Sequence, residues 1–403
     1  MKAIVTFVIL AQILMDLAYS EHCPKHCECR IDLNNDLNVY CSNTGGIIPK
    51  GIPKETVFLD LGGNGLTSVH VEDLQGLDIL KTLSLVGNRL SGNVIEHGAL
   101  ELPMLTSVDL TNNRYTSIPP NLPSRVSSLY IGSNPISSLD PSSFRNYTSL
   151  TDVELTYTHL VKIYPHTFDM LPKLETAILS FTPIANAGLP EDVFFKNTKL
   201  KTLRFRFTNV TSPLQNLPAS LQTLDYVGSN IQVLPSYTFR NLQNLEEYDH
   251  FNNHLATIED NAFQGLEKLI VLDIRIGKIS STITNKTLSG LKSVESVYLA
   301  NHRIPKVEVG ALRDLKNLDT LWLSANNLRT LDEGILSSDF VPKLKTLYID
   351  SNPWYCDCHL KWLREKVVNS SLIVMSPQFI KCYGPPKLAG KSWDVLQPQD
   401  FVC

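Results

Sequence analysis

Leu80–Leu90 reads LKTLSLVGNRL and Leu318–Leu328 reads LDTLWLSANNL. Both obey L-x-x-L-x-L-x-x-N-x-L, and a third copy runs from Leu344 into the motif ending at Asn352. Elsewhere the pattern recurs in degraded form. Tracking its asparagine position gives thirteen copies, at Asn64, Asn88, Asn113, Asn134, Thr158, Thr182, Thr208, Ser229, Asn253, Gly277, His302, Asn326 and Asn352. Successive copies lie 24, 25, 21, 24, 24, 26, 21, 24, 24, 25, 24 and 26 residues apart. A period held this closely marks one repeat architecture, not the two or three separate domains that 403 residues would otherwise allow.

Each copy predicts a short strand whose alternate Leu, Val and Ile residues point inward, since side-chain direction alternates along a strand. One copy cannot bury that face alone, so neighbours must stack. The asparagine turns the chain, its amide bonding to backbone groups of its own turn and the next. The expectation is an α/β repeat fold: a right-handed leucine-rich-repeat solenoid, or horseshoe, of thirteen repeats with a parallel concave sheet. At ~4.8 Å per strand the sheet would run roughly 60 Å. Phe144, Phe168, Phe194, Phe239 and Phe263, usually ten residues after the asparagine slot, read as a second, outer core. Two steps are only 21 residues long and rich in proline (IPPNLPSRV at Ile118–Val126, LQNLPASL at Leu214–Leu221), which suits extended chain on the outer side. Each leads into a similar block, GSNPISSLDPSSFRNYTSL from Gly132 and GSNIQVLPSYTFRNLQNL from Gly228, as a tandem duplication would leave. Register near the second block is open by one residue, with Ser229 or Asn230 in the slot.

The eight cysteines fall in two clusters separated by 314 residues that have none. The first reads C-x3-C-x-C-x11-C (Cys23, Cys27, Cys29, Cys41) and the second C-x-C-x23-C-x20-C (Cys356, Cys358, Cys382, Cys403). A solenoid exposes raw apolar ends that caps must cover, and these clusters sit where caps belong. Four cysteines per cap allow three pairings each. Zinc is the weaker reading of Cys356-x-Cys358, because zinc pairs usually have wider spacing. Lys2, the apolar run from Ala3 to Met15 and Ala18-Tyr19-Ser20 fit a cleaved signal. The run is short for a membrane span, and the chain stops at Cys403 with no apolar tail for a lipid-anchor signal. The expected organisation is a signal at 1–20, a cysteine-rich cap at 21–52, repeats at 53–353 and a second cap at 354–403. A secreted, extracellular chain in an oxidising compartment follows from it.

At NPWYCDCHLKWLREKV and at both cysteine clusters the chain resembles the extracellular leucine-rich-repeat family of animals, as in Slit, Toll-type and Nogo-receptor ectodomains and chondroadherin. The resemblance covers Cys23 to Cys403, most specifically Asn352 to Leu363, where Trp354, the C-x-C pair and Trp362 all stand in place. It implies the pairs Cys23–Cys29, Cys27–Cys41, Cys356–Cys382 and Cys358–Cys403. The N-terminal spacing also resembles the small leucine-rich matrix proteoglycans. Those lack the C-x-C cap, so chondroadherin-like proteins are the nearer comparison.

Function in such a fold sits on outward strand positions. Their central column reads Asp60, Ser84, Asp109, Tyr130, Glu154, Ile178, Arg204, Asp225, Asp249, Asp273, Tyr298, Trp322 and Tyr348. Asp225, Asp249 and Asp273 form an acidic run that repels itself unless a cation or basic partner neutralises it. Tyr298, Trp322 and Tyr348 continue it as an aromatic stripe. Tyr157, Phe181 and Phe207, three positions later on their strands, line up beside Arg204 and Arg206. Aromatic residues and arginine are frequent at binding hot spots, although aromatic residues also stabilise sheets by pairing across strands. A calcium site at the aspartates would find too few oxygens. A small-molecule site would lack a closed pocket. Sequons at Asn146, Asn209, Asn285 and Asn369 are candidate glycan carriers.

A net charge of −4 argues against a nucleic-acid binder. No G-x-S-x-G, H-E-x-x-H, Walker A or paired CxxC motif appears, so no enzyme and no cofactor is expected. His302 in an asparagine slot and His250 at an inward position read as tolerated irregularities. The resemblance implies a matrix or cell-surface adhesion and signalling protein, binding an extracellular protein partner through the concave face. The other readings are a non-catalytic regulatory subunit or inhibitor of a secreted enzyme, and a soluble immune recognition or decoy receptor.

Overall fold

The structure, a computed structural model, describes residues 23–369 and 371–403. The signal expected at 1–20 lies outside the described residues. The chain divides into two units, Met1–Leu200 and Lys201–Cys403.

The first unit opens with an antiparallel pair, β1 (Cys27–Ile31) and β2 (Leu37–Cys41). Six parallel repeat strands follow: β3 (Thr56–Asp60), β4 (Thr82–Ser84), β5 (Ser107–Asp109), β6 (Ser128–Tyr130), β8 (Asp152–Glu154) and β10 (Thr176–Ile178). A one-turn helix α1 (Val71–Leu74) and the paired minor strands β7 (Ser138–Leu139) and β9 (Lys162–Ile163) lie on the return segments.

The second unit has seven parallel repeat strands: β11 (Thr202–Arg204), β12 (Thr223–Asp225), β14 (Glu247–Asp249), β16 (Val271–Asp273), β17 (Ser296–Tyr298), β18 (Thr320–Trp322) and β19 (Thr346–Tyr348). Its minor strands β13 (Val233–Leu234) and β15 (Thr257–Ile258) pair as β7 and β9 do, at equivalent places in the duplicated blocks. It closes with β20 (Trp354–Tyr355), α2 (Cys358–Asn369), β21 (Ile373–Val374) and β22 (Cys382–Gly384). Six and seven repeat strands account for the thirteen copies in the sequence. The fold is a parallel-sheet leucine-rich-repeat solenoid.

The residue before the last of every repeat strand faces the core. Leu59, Leu83, Val108, Leu129, Val153 and Ala177 in one unit, and Leu203, Leu224, Tyr248, Leu272, Val297, Leu321 and Leu347 in the other, are at most 2% exposed. Each such leucine contributes roughly 2 kcal/mol by leaving water. On the return side Phe168 stacks between Phe144 and Phe194, with centroids 5.6 and 4.7 Å away, and Phe239 stacks on Phe263 at 6.1 Å. These buried rings are a second core, not a ligand stripe.

The asparagine slots form a hydrogen-bond ladder. Asn88 Nδ2 donates to Leu61 O and Leu85 O at 3.0 Å, while its Oδ1 accepts from Leu66 N at 2.9 Å. Asn326 repeats this with Leu299 O, Leu323 O and Ile304 N. A hydroxyl carries only one donor, so Thr158 and Thr182 reach only Leu155 O and Leu179 O.

The residue before each slot is left-handed. Gly63, Gly87, Asn112, Ser133, Tyr157, Phe181, Phe207, Gly228, Asn252, Ile276, Asn301, Ala325 and Ser351 all have φ between 51° and 67°. The same geometry fixes the open register: Gly228 takes the left-handed place, and Ser229, 5% exposed, donates from Oγ to Phe205 O at 2.8 Å. Asn230 is exposed.

Both ends are stapled. Cys27–Cys41 bridges the first pair of strands, with the two residues facing in register, and Cys23–Cys29 ties the segment before β1 to that strand. Cys356–Cys382 and Cys358–Cys403 close the other end, and no described cysteine is left free for a metal. Trp393 packs between Trp354 and Phe401 at 6.5 and 5.7 Å. Trp362 Nε1 donates to Leu331 O at 2.9 Å, tying α2 to the last repeats.

Candidate functional site

In the second unit one column crosses the sheet in exact register: Arg204, Asp225, Asp249, Asp273, Tyr298, Trp322 and Tyr348. The aspartates have a local cause. Each ends its strand and accepts the backbone N–H two residues on: Asp225 from Val227 at 2.9 Å, Asp249 from Phe251 at 3.1 Å and Asp273 from Arg275 at 3.2 Å. Asp60 and Asp109 in the first unit do the same for Gly62 and Thr111. Aspartate recurs here because its short carboxylate closes that turn.

Two arginines relieve the repulsion within the column. Arg206 Nε donates to the buried Asp225 carboxylate. Arg275 grips Asp273 through Nε at 2.9 Å and Nη2 at 2.5 Å. Asp249, between them, has no ion pair among the described residues. Burial, and then the charges of Asp225 and Asp273, push its carboxyl up to about 6. With two of three aspartates engaged by arginine, the column falls far short of the 6–8 oxygens that calcium takes.

Arg275, together with Phe251, was not among the residues expected at the site. Its guanidinium lies over Phe251, Tyr298 and Trp322, at 5.4, 5.2 and 5.1 Å from the ring centroids. The signal in the sequence was its place two residues after Asp273, on the same side of the chain. Trp322 meets Tyr298 edge-on at 5.8 Å and stacks on Tyr348 at 4.7 Å. The aromatic stripe is thus a joined surface built around one cation. Trp322 Nε1 and Arg204 Nε are buried without a hydrogen-bond partner.

Tyr157, Phe181 and Phe207 are not on the strands where the spacing placed them. They occupy the left-handed turn position, at φ of 59°, 54° and 51°. In the first unit Tyr157, 58% exposed, stacks on Phe181 at 4.4 Å. In the second, Phe207 lies flat against Gly228, where a Cβ would come within 2.4 Å of its ring. Arg206 reaches the Asp225 carboxylate on the neighbouring strand. Asn146, Asn209 and Asn285 are exposed. The Asn369 sequon includes Ser370, which lies outside the described residues.

His250 and His302 are buried and neutral. Burial pushes His250 down to about 3 and His302 down to about 4. Tyr248 Oη lies 2.8 Å from His250 Nδ1. Neither imidazole reaches the sheet face. Among the described residues no helix is long and apolar enough to cross a membrane.

Parallel repeat strands in both units, with disulfide-bonded caps near both ends of the chain, are the features of an extracellular leucine-rich-repeat protein. The leucine rich repeat family model matches residues 124–184, 219–275 and 292–353. Podocan of Mus musculus is 28% identical over 338 residues, 82% of this chain and 49% of podocan. Podocan-like protein 1 of Homo sapiens is 25% identical, covering 76% of this chain and 54% of its own length. The leucine-rich repeat transmembrane protein FLRT2 of Rattus norvegicus is 27% identical, covering 72% and 46%. The chain therefore spans about half the length of the curated relatives it matches. Among solved structures, a chain of the octameric complex of Latrophilin 3, Unc5D and FLRT2 superposes with a TM-score of 0.63 at 24% identity, over 93% of this chain and 98% of that one. A chain of the Drosophila Toll–Spatzle complex gives 0.69 at 19% identity, over 87% and 49%. At those identities the likeness is one of fold.

Proposed function

We propose that the protein is secreted and acts as a non-catalytic binding module in the extracellular matrix or at cell surfaces, engaging a protein partner through the strand-lined face of its second unit. The carrying observation is the joined surface of Arg275, Phe251, Tyr298, Trp322 and Tyr348 beside Asp249. Rigid aromatic rings and arginine on a sheet face supply contact area at little cost in conformational entropy. Both solved structures named above come from assemblies between proteins, which agrees with this reading.

Affinity capture from extracellular fluid, compared between the native chain and a variant with Arg204→Ala, Phe207→Ala and Trp322→Ala, tests the reading. The expected result is loss of the captured protein in the variant. Capture that persists through all three substitutions would move the site to a flank or a cap.

A further inference from the structure

Within the second unit the sheet face dips beside the column. A depression of about 440 Å³ is lined by Thr223, Glu246, Glu247, Asp249, Ile270 and Val271, with Tyr248 and Asp273 completing its wall. Of its four carboxylates only Asp273 has an ion pair, with Arg275; Glu246, Glu247 and Asp249 have none among the described residues. Ile270, 44% exposed, and Val271 add aliphatic surface to the lining. Among the described residues no lysine or arginine lines the depression; Arg206 and Arg275 pair with the neighbouring Asp225 and Asp273. Aliphatic surface together with unpaired carboxylates matches a side chain with an aliphatic stem and a cationic head.

We propose that this depression receives a lysine or arginine side chain from a basic segment of the protein partner, with the stem against Ile270 and Val271 and the head on Asp249 and Glu247. The inference rests on the strand-face reading above and adds the chemistry of the partner. The cation would restore charge balance at a carboxylate held half-buried without a counterion. Asp249 is raised to about 6, so its charge, and with it the attraction, disappears as pH falls from 7.5 to 5.5. The charged groups facing it are Asp225 and Arg206 on one side, Asp273 and Arg275 on the other, Glu247 on its own strand, and Arg204 at the end of the column.

The test uses a nonapeptide of alternating arginine and glycine, with its glutamate counterpart as control, titrated into the full chain by calorimetry. Asp249→Asn keeps the oxygen that accepts from Phe251 N–H and removes only the charge. It is expected to weaken the arginine peptide about tenfold. The native chain should lose a similar factor between pH 7.5 and 5.5, and Asp249→Asn should not. Asp78→Asn in the first unit, an exposed change of the same charge, should leave binding unaltered. No binding of the arginine peptide, equal binding by Asp249→Asn, or equal weakening by Asp78→Asn would each overturn the proposal. A captured partner lost with Trp322→Ala but retained with Asp249→Asn would leave the face standing and remove the cation site. One retained by both would remove the face itself.

Discussion

His302 fills the space left by Gly277. A Cβ on Gly277 would lie 2.5 Å from His302 Cε1 and 2.9 Å from Leu255 O. Both residues hold asparagine slots in consecutive turns. The imidazole accepts at Nδ1 from Ile279 N–H at 3.4 Å and donates from Nε2 to Ile274 O at 2.6 Å. Asn326 makes the equivalent pair of bonds, to Ile304 N–H and Leu299 O. One ring thus replaces the ladder amide, and glycine in the preceding slot makes room for it. Only the neutral tautomer protonated at Nε2 can do this.

That coupling is measurable. Gly277→Ala is expected to destabilise the second unit by about 1–3 kcal/mol, as overpacking does. His302→Asn should cost less, and the double variant should recover part of the loss, because the shorter amide clears the new methyl while that methyl's contact with Leu255 O remains. Urea unfolding of the three variants checks this; strict additivity would show that the two side chains do not share the space.

The buried histidines set an acid limit. Both have folded pKa values below the unfolded value near 6.5, at about 3 for His250 and about 4 for His302. The unfolded chain therefore binds more protons as pH falls below about 6.5, and stability drops with it. By pH 4.5 each histidine would remove roughly 2–3 kcal/mol. Unfolding free energies at pH 7.5 and 4.5 should differ less in His302→Asn than in the native chain.

Ile276 is the sharpest backbone misfit. It is β-branched, 42% exposed and held at φ +61°. Six of the other twelve turns fill the place with glycine or asparagine, which tolerate that conformation. Ile276→Asn is expected to raise stability by about 1 kcal/mol. Tyr157→Asn in the first unit relieves the same strain but loses the stack on Phe181, so its gain should be smaller or reversed. Denaturation midpoints of the two variants separate these outcomes.

The caps act locally. Replacing Cys356 and Cys382 by serine opens a bridge spanning 26 residues and is expected to cost about 2–4 kcal/mol. Hydrogen exchange should rise first around Trp354, Trp393 and Phe401, while β11 and β12 stay protected, since repeat stacks transmit loss mainly to their neighbours. Uniform loss of protection through the second unit would contradict this.

The sequence by itself determined the repeat count, the inward leucines, the slot positions and the column of Asp225, Asp249, Asp273, Tyr298, Trp322 and Tyr348. These follow from a fixed period and from strand alternation, and both are local rules. The turn that holds Tyr157, Phe181 and Phe207 was legible only in part. Their spacing was visible, but the left-handed φ depends on how the chain closes onto the next strand. Three things needed the tertiary structure: Arg275 over three rings from separate turns, Asp249 left unpaired between two engaged aspartates, and His302 fitted above Gly277. Each is decided by side chains about one repeat apart meeting across ~5 Å between strands. Which charge finds which partner there is settled by reach and burial, neither of which the spacing of residues along the chain encodes.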